Sequence, residues 1–329
     1  MRHEYDESPV CDIGVCNMSE NVRIGIYVPQ LAFGYEEMLE RARNTEALGF
    51  DSFWLYDHLY GPHLPDTPAF EGWTLATALL TETERLRVGH MVLCATFRHP
   101  AVLGKMATTL DVISNGRLNV GIGSGSYDRE HDEAGIPWST LAYRSEILEE
   151  TLEIVTSMFA NEKTTFSGKH FQVQDLPNLP APVQQPRPPI YIGGIGERRT
   201  LPLVARFADV WNVPTYGLGE LAHKTEVLTQ ECERIGRDPS TIRRSLEAVM
   251  VVAADDAALE DARAKGERRF PGAGWGLHEG GYVGTPNQIV DRIGERVELG
   301  FREFIFFLHD RGAAPTLELL ASEVLPQVA

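Results

Sequence analysis

Short apolar runs alternate with helix-length amphipathic stretches along almost all of this chain, and that alternation restricts its fold more than any other feature. The segment 87–125, RVGHMVLCATFRHPAVLGKMATTLDVISNGRLNVGIGSG, shows one full unit. Residues 87–93 form an apolar run with period-two relief, which suits a buried strand. Residues 94–100 break that run, and Pro100 fits the first turn of a helix. Val102, Leu103, Met106, Leu110 and Ile113 then recur at helical spacing. Asn115-Gly116 signals a turn, 118–122 a second buried strand, and 121–125 a glycine-rich bend. A helix of this length joining two short strands of one sheet makes them parallel.

The same unit repeats. Strands are expected near residues 24, 52, 90, 120, 191, 210, 248 and 305, each followed by a helix. The expected helices cover 35–48, 73–83, 101–113, 142–160, 197–207, 218–235, 257–270, 285–299 with a Thr285 cap, and 315–328. Eight βα units over about 300 residues define an α/β chain, a (β/α)8 TIM barrel with insertion segments. A doubly wound sheet would need a domain break and a switch point, and neither shows. The insertions are a proline-rich 59–72, a loop over 126–141, a hairpin at 163–175, a proline-rich connector at 176–189 and a glycine-rich loop at 271–281. Residues 1–21 are acidic with no apolar core and read as a disordered extension, not a signal peptide; 22–329 form one barrel domain.

Charge excludes several partners. A formal net charge of −17 argues against nucleic acid and anionic membranes, which need basic surface. No apolar run approaches the roughly 20 residues needed to cross a bilayer. Cys11 and Cys16 stand in a C-x4-C spacing without a nearby histidine pair, poor for zinc, and Cys94 and Cys232 are isolated. Free thiols and a cytoplasmic location are the expectation. The strand ends lack an H-x-H on the first strand and paired acids at metal spacing, so no metal site is expected.

In such a barrel the active site forms at the C-terminal ends of the strands. Asp57 and His58 follow the second strand, and a histidine there can exchange protons near neutral pH. Gly193, Gly194, Ile195 and Gly196 follow the fifth strand and precede a helix, an arrangement that can cradle an anion on backbone N–H groups. The bend containing Gly123 matches G-x-G-x-x-G only in part and lacks an acidic residue at dinucleotide spacing, so a Rossmann reading is rejected. Glu130 and His131 lie in the following loop, where either could serve as an acid/base group near Ser126 or both could simply face solvent. Trp54, Trp73, Trp138 and Trp211 are candidates for the pocket wall, with core packing an equal alternative.

Segment 87–125, together with LGFDSFWLYDH at 48–58, YRSEILEETLEIVTSMF at 143–159 and PPIYIGGIGERRTLPLVARFADVWN at 188–212, resembles the bacterial luciferase-like monooxygenase superfamily. The likeness is closest to its branch that uses the deazaflavin coenzyme F420, and a weaker match at 284–307 extends it over nearly all the chain after residue 21. The resemblance implies an F420-dependent oxidoreductase moving hydride between the coenzyme and a small organic substrate. It places His58 at the reaction and Asp57 beside the cofactor. It aligns Met91-Val92 with a non-prolyl cis peptide that bulges behind the deazaflavin ring. Cys94 and Thr96 would face the ring or its tail, and Gly123 and the Gly193, Gly194, Ile195, Gly196 turn would bind the cofactor, the turn taking its phosphate. Ser126 departs from the pattern, since some F420 sugar dehydrogenases carry a catalytic glutamate there. Family members are often homodimers. Two alternatives remain open: an FMN-dependent monooxygenase working with a flavin reductase and oxygen, and a non-catalytic flavin or deazaflavin carrier.

Overall fold

The computed structural model describes residues 22–272 and 276–328. The expected N-terminal extension, with Cys11 and Cys16, lies outside the described residues. From the start of the described chain run β1 (Arg23–Tyr27), α1 (Tyr35–Ala47), β2 (Ser52–Leu55), α2 (Gly72–Thr81), β3 (Arg87–His90), β4 (Leu93–Cys94), α3 (Pro100–Ile113) and β5 (Leu118–Gly123). The middle of the chain gives α4 (Asp128–Ala134), α5 (Leu141–Ala160), β6 (Lys163–Ser167), β7 (Gln172–Pro177), β8 (Ile190–Gly193), α6 (Thr200–Phe207), β9 (Val210–Val213) and α7 (Leu221–Arg234). The last part holds β10 (Arg243–Val252), α8 (Asp256–Arg269), β11 (Tyr282–Gly284), α9 (Pro286–Glu298), β12 (Phe301–Leu308), α10 (Ala314–Glu323) and α11 (Leu325–Val328).

Eight of these strands close a parallel barrel in the order β1-β2-β3-β5-β8-β9-β10-β12, with β12 returning to β1 and β9 bonded to β10. They are the eight strands expected from the alternation. The strands alternate between two apolar surroundings. On β10, Leu246, Ala248, Met250 and Val252 pack outward into the main core under the helices, while Ser245 and Glu247 hold the intervening positions, as the period of two requires. A smaller cluster of Tyr27, Trp54, Tyr56, Met91, Tyr191, Val210 and Ile305 fills the barrel interior.

Helix ends follow local chemistry. Thr285 caps α9 in a capping box with Gln288, as its sequence predicts. Pro100 opens α3. Four expectations need correction. Residues 126–141 are not all loop, because α4 forms within them and ends at Gly135 in the left-handed conformation with φ 68°. Helix α6 begins at Thr200 rather than 197, because Gly196 O accepts the N–H groups of Thr200 and Leu201 and so starts the helix there. The segment before α7 is a 3-10 turn, Thr215–Glu220. Strand β11 is additional; it pairs with the far end of β10 beyond the part that pairs β9. The hairpin of β6 and β7 stands apart from the barrel as a separate two-stranded sheet. Among the described residues no helix is long and apolar enough to cross a membrane.

Candidate active site

A cavity of about 250 Å³ opens where the barrel strands end, walled by residues from β1, β2, the β3–β4 break, β5, β8, β9 and β10. The break between β3 and β4 contains a cis peptide bond between Met91 and Val92, at the place the resemblance indicates. Glycines leave room for it. A Cβ on Gly121 would stand 2.0 Å from His90 O, and one on Gly123 would meet Val92 Cγ2 at 2.5 Å. Both glycines therefore let β5 lie directly against the bulge. Gly193 borders the cavity, and a Cβ there would meet only Val92 Cγ1, at 3.5 Å. Glycine at this position keeps that wall flat.

His58 borders the cavity, and its Nδ1 lies 2.7 Å from Glu130 Oε1. Glu130 Oε2 accepts the Leu59 N–H at 3.0 Å. Glu130 is 1% exposed, so a buried carboxylate locks both the imidazole and the loop that carries it. Of the two readings left open for Glu130 and His131, solvent-facing is excluded: α4 turns both inward, 1% and 0% exposed. His131 Nε2 lies 2.7 Å from Thr96 Oγ1, and its Nδ1 lies 2.9 Å from Tyr127 O. Ser126 borders the cavity itself, so the one glutamate on this wall comes from Glu130, one turn further on.

Asp57 reaches the cavity edge, yet its carboxylate is already engaged. It accepts two N–H groups of Arg98, at 2.7 and 2.9 Å, and the Cys94 N–H at 2.8 Å. The Arg98 guanidinium also holds Glu71 at 2.6 Å. This buried, two-point ion pair ties the end of β2 to β4 and the following loop, which positions His58 rather than leaving Asp57 open to a ligand. Burial pushes the Cys94 thiol up to about 11, which removes it as a nucleophile. Thr96 is held by His131 and Cys94 and lies off the cavity wall. At the β8 turn, Gly193 and Gly194 border the cavity, whereas Ile195 packs against the core and Gly196 is exposed. Trp211 Nε1 donates to Gly194 O at 2.8 Å and fixes that turn from behind.

The four tryptophans do not line the cavity. Trp54 and Trp211 are fully buried, Trp73 stacks on His90 with centroids 5.5 Å apart, and Trp138 packs on His131 at 4.3 Å. Instead the polar wall includes Asn212, at the end of its strand, and three residues that the chain's pattern did not single out: Tyr27, Tyr216 and Glu247. Glu247 is 2% exposed, its Oε1 has no hydrogen-bond partner, and burial pushes its carboxyl up to about 8. Its trace in the sequence is one acid in the middle of the otherwise apolar run from Leu246 to Val252. Among the described residues no cluster of His, Cys, Asp or Glu has the makings of a metal site.

A parallel eight-stranded barrel with a histidine–glutamate pair at its mouth, beside a non-prolyl cis bulge and a glycine-faced wall, defines a class of protein: a barrel enzyme built around a flat, planar cofactor. The luciferase-like monooxygenase family model matches residues 16–303. The chain belongs to that family. Among curated relatives, an F420-dependent glucose-6-phosphate dehydrogenase of Microbacterium testaceum is 29% identical, covering 94% of this chain and 98% of the relative. Among solved structures, an F420-dependent secondary alcohol dehydrogenase in complex with an F420-acetone adduct superposes with a TM-score of 0.79 at 20% identity, covering 94% of this chain and 99% of that one. A long-chain alkane monooxygenase superposes equally well, with a TM-score of 0.78 at 17% identity over 94% and 91% of the two chains. The architecture is therefore common to F420 enzymes and monooxygenases, and the site has to distinguish them.

Proposed function

We propose that this protein is an F420-dependent oxidoreductase that moves hydride between the deazaflavin coenzyme and a small organic substrate. The observation that carries the reading is the buried Glu130–His58 pair at the cavity rim, 2.7 Å between Nδ1 and Oε1. The curated relatives named as F420-dependent dehydrogenases over nearly the whole chain support it. The residues present fit the coenzyme. The Met91-Val92 bulge and the bare faces of Gly123 and Gly193 would give a flat support for a planar ring, and the Gly193–Gly196 turn would take the phosphate, as the resemblance implies. Ile195 and Gly196, further out on that turn, would reach the coenzyme's tail rather than its ring.

The coenzyme supplies the hydride carrier. The protein supplies proton handling and placement. Glu130 accepts from the Nδ1–H of His58, which leaves Nε2 as the basic nitrogen. The coenzyme would take or give the hydride, and Nε2 of His58 would take the hydroxyl proton in alcohol oxidation and return it in carbonyl reduction. Asp57, fixed by Arg98, holds the β2 end so that the imidazole stays in reach. Asp57 and Cys94 border the cavity while Thr96 lies off it; Asp57 through the Cys94 N–H, and Thr96 through the Cys94 thiol, would hold the chain after the bulge in place. A homodimer is carried over from the family resemblance and a cytoplasmic location from the free thiols, and sedimentation of the purified protein checks the first.

Titration of the purified protein with F420 and, separately, FMN tests the reading. F420 bound at least tenfold more tightly than FMN is the expected result. A preference for FMN would replace the reading with a flavin monooxygenase. His58→Ala should abolish hydride transfer and leave F420 affinity within about threefold, since a proton-transfer group acts in the transition state rather than in binding.

A further inference from the structure

Glu247 has no part in the chemistry above, yet it stands in the same cavity. Counting around the barrel, β10 is four strands from β3 in either direction, through β12, β1 and β2 or through β9, β8 and β5. It is therefore the wall facing the Met91-Val92 bulge. A ring backed by the bulge turns its open face toward β10, and the substrate must lie between them. Glu247 borders that space, and its Oε1 is buried without a partner. A buried polar atom left unsatisfied is costly, and a ligand oxygen at this point would satisfy it.

Resting on the F420 reading, we propose that Glu247 hydrogen-bonds the reacting molecule, and that the site takes uncharged alcohols or carbonyl compounds rather than phosphorylated sugars. Burial keeps this carboxyl protonated at neutral pH, so it can donate to a hydroxyl or carbonyl oxygen. Among the described residues lining the cavity there is no lysine or arginine. Arg98 is engaged on Asp57 and Glu71, and Arg144 lies over the Trp138 ring and donates to Ser139 O. A phosphate group would meet the Glu130 carboxylate with no lysine or arginine among the described lining residues to neutralise it. This separates the chain from its relatives named for glucose 6-phosphate.

The test uses the full chain loaded with F420. Glucose is compared with glucose 6-phosphate, and 2-propanol and cyclohexanol are added as small alcohols. Loss of the oxidised F420 absorbance reads turnover, and the change in cofactor fluorescence reads binding. The expected result is an uncharged probe favoured at least tenfold over glucose 6-phosphate. Glu247→Ala should then raise KM for that probe about tenfold, the loss of one hydrogen bond in a dry site. Glu247→Gln, which can still donate, should stay within about threefold of the native KM. Both variants should keep native F420 affinity.

Equal or better use of glucose 6-phosphate overturns the proposal, and so does silence from every uncharged probe. An unchanged KM in Glu247→Ala also overturns it. Loss of the probe in Glu247→Gln as complete as in Glu247→Ala would mean that an ionised carboxylate, not a protonated donor, meets the probe, again against the proposal. Failure of the native protein to bind F420 would instead count against the cofactor reading, which the titration above detects separately.

Discussion

Glu247→Gln should flatten the pH dependence of this protein's stability, and the size of the effect can be worked from the burial of one carboxyl. The group is 2% exposed, and its pKa stands near 8 in the folded chain against an ordinary 4.5. Below the ordinary value both folded and unfolded chains carry the proton, and nothing is lost. As pH rises above it, the unfolded chain releases the proton while the folded chain keeps it. Stability therefore falls with rising pH, by up to about 1.36 kcal/mol per pH unit, until the folded group also ionises. Between pH 5 and pH 8 this one side chain should remove about 3 kcal/mol. Glutamine has nearly the same shape and does not titrate. The difference in unfolding free energy between Glu247→Gln and the native protein should thus grow by about 3 kcal/mol in favour of the variant across that range. In melting temperature this is about 4 °C for a chain of this size. Urea unfolding at pH 5, 6, 7 and 8 measures it directly. Parallel curves for the two proteins would show that the carboxyl is solvated or ionised when folded, and would refute both its burial and its role as a donor.

Two further substitutions examine the framework. Glu130→Ala releases His58 Nδ1 and the Leu59 N–H together; kcat for hydride transfer should fall about 10- to 100-fold with F420 affinity little changed, and unchanged kcat would show that the histidine is oriented by something else. Gly121→Ala forces a methyl to within 2.0 Å of His90 O, immediately before the bulge; the strand must shift, costing about 1–3 kcal/mol in urea unfolding and weakening F420 binding, whereas native stability and affinity together would mean the bulge does not depend on that close approach.

Much of the architecture was legible from local pattern. A strand of the barrel interior must be apolar on both faces, so short runs such as VRIGIYV at 22–28 stand out against the amphipathic helices between them. All eight barrel strands were found at their expected places. The misreadings share one cause. Helix α4 is short and mostly charged, DREHDEA, so nothing in its periodicity separates it from a solvated loop. Its inward face is set by Glu130 meeting His58 across 72 residues of chain. Asp57 looked like a cofactor contact, and only the fold brings Arg98 onto its carboxylate. The tryptophans looked like pocket walls because aromatic residues serve cores and pockets alike.

The sequence by itself determined the order of strands and helices, the glycine bends, the position of the histidine at a strand end and, through quoted motifs, the family. Those are properties of neighbours along the chain, and turn chemistry and periodicity record them. The tertiary structure decided which ionisable groups face one another: His58 with Glu130, Asp57 with Arg98, and Glu247 alone opposite the bulge. Barrel closure brings β10 across from β3 although about 150 residues separate them, and a buried acid becomes chemically distinctive only when water is removed from every side of it.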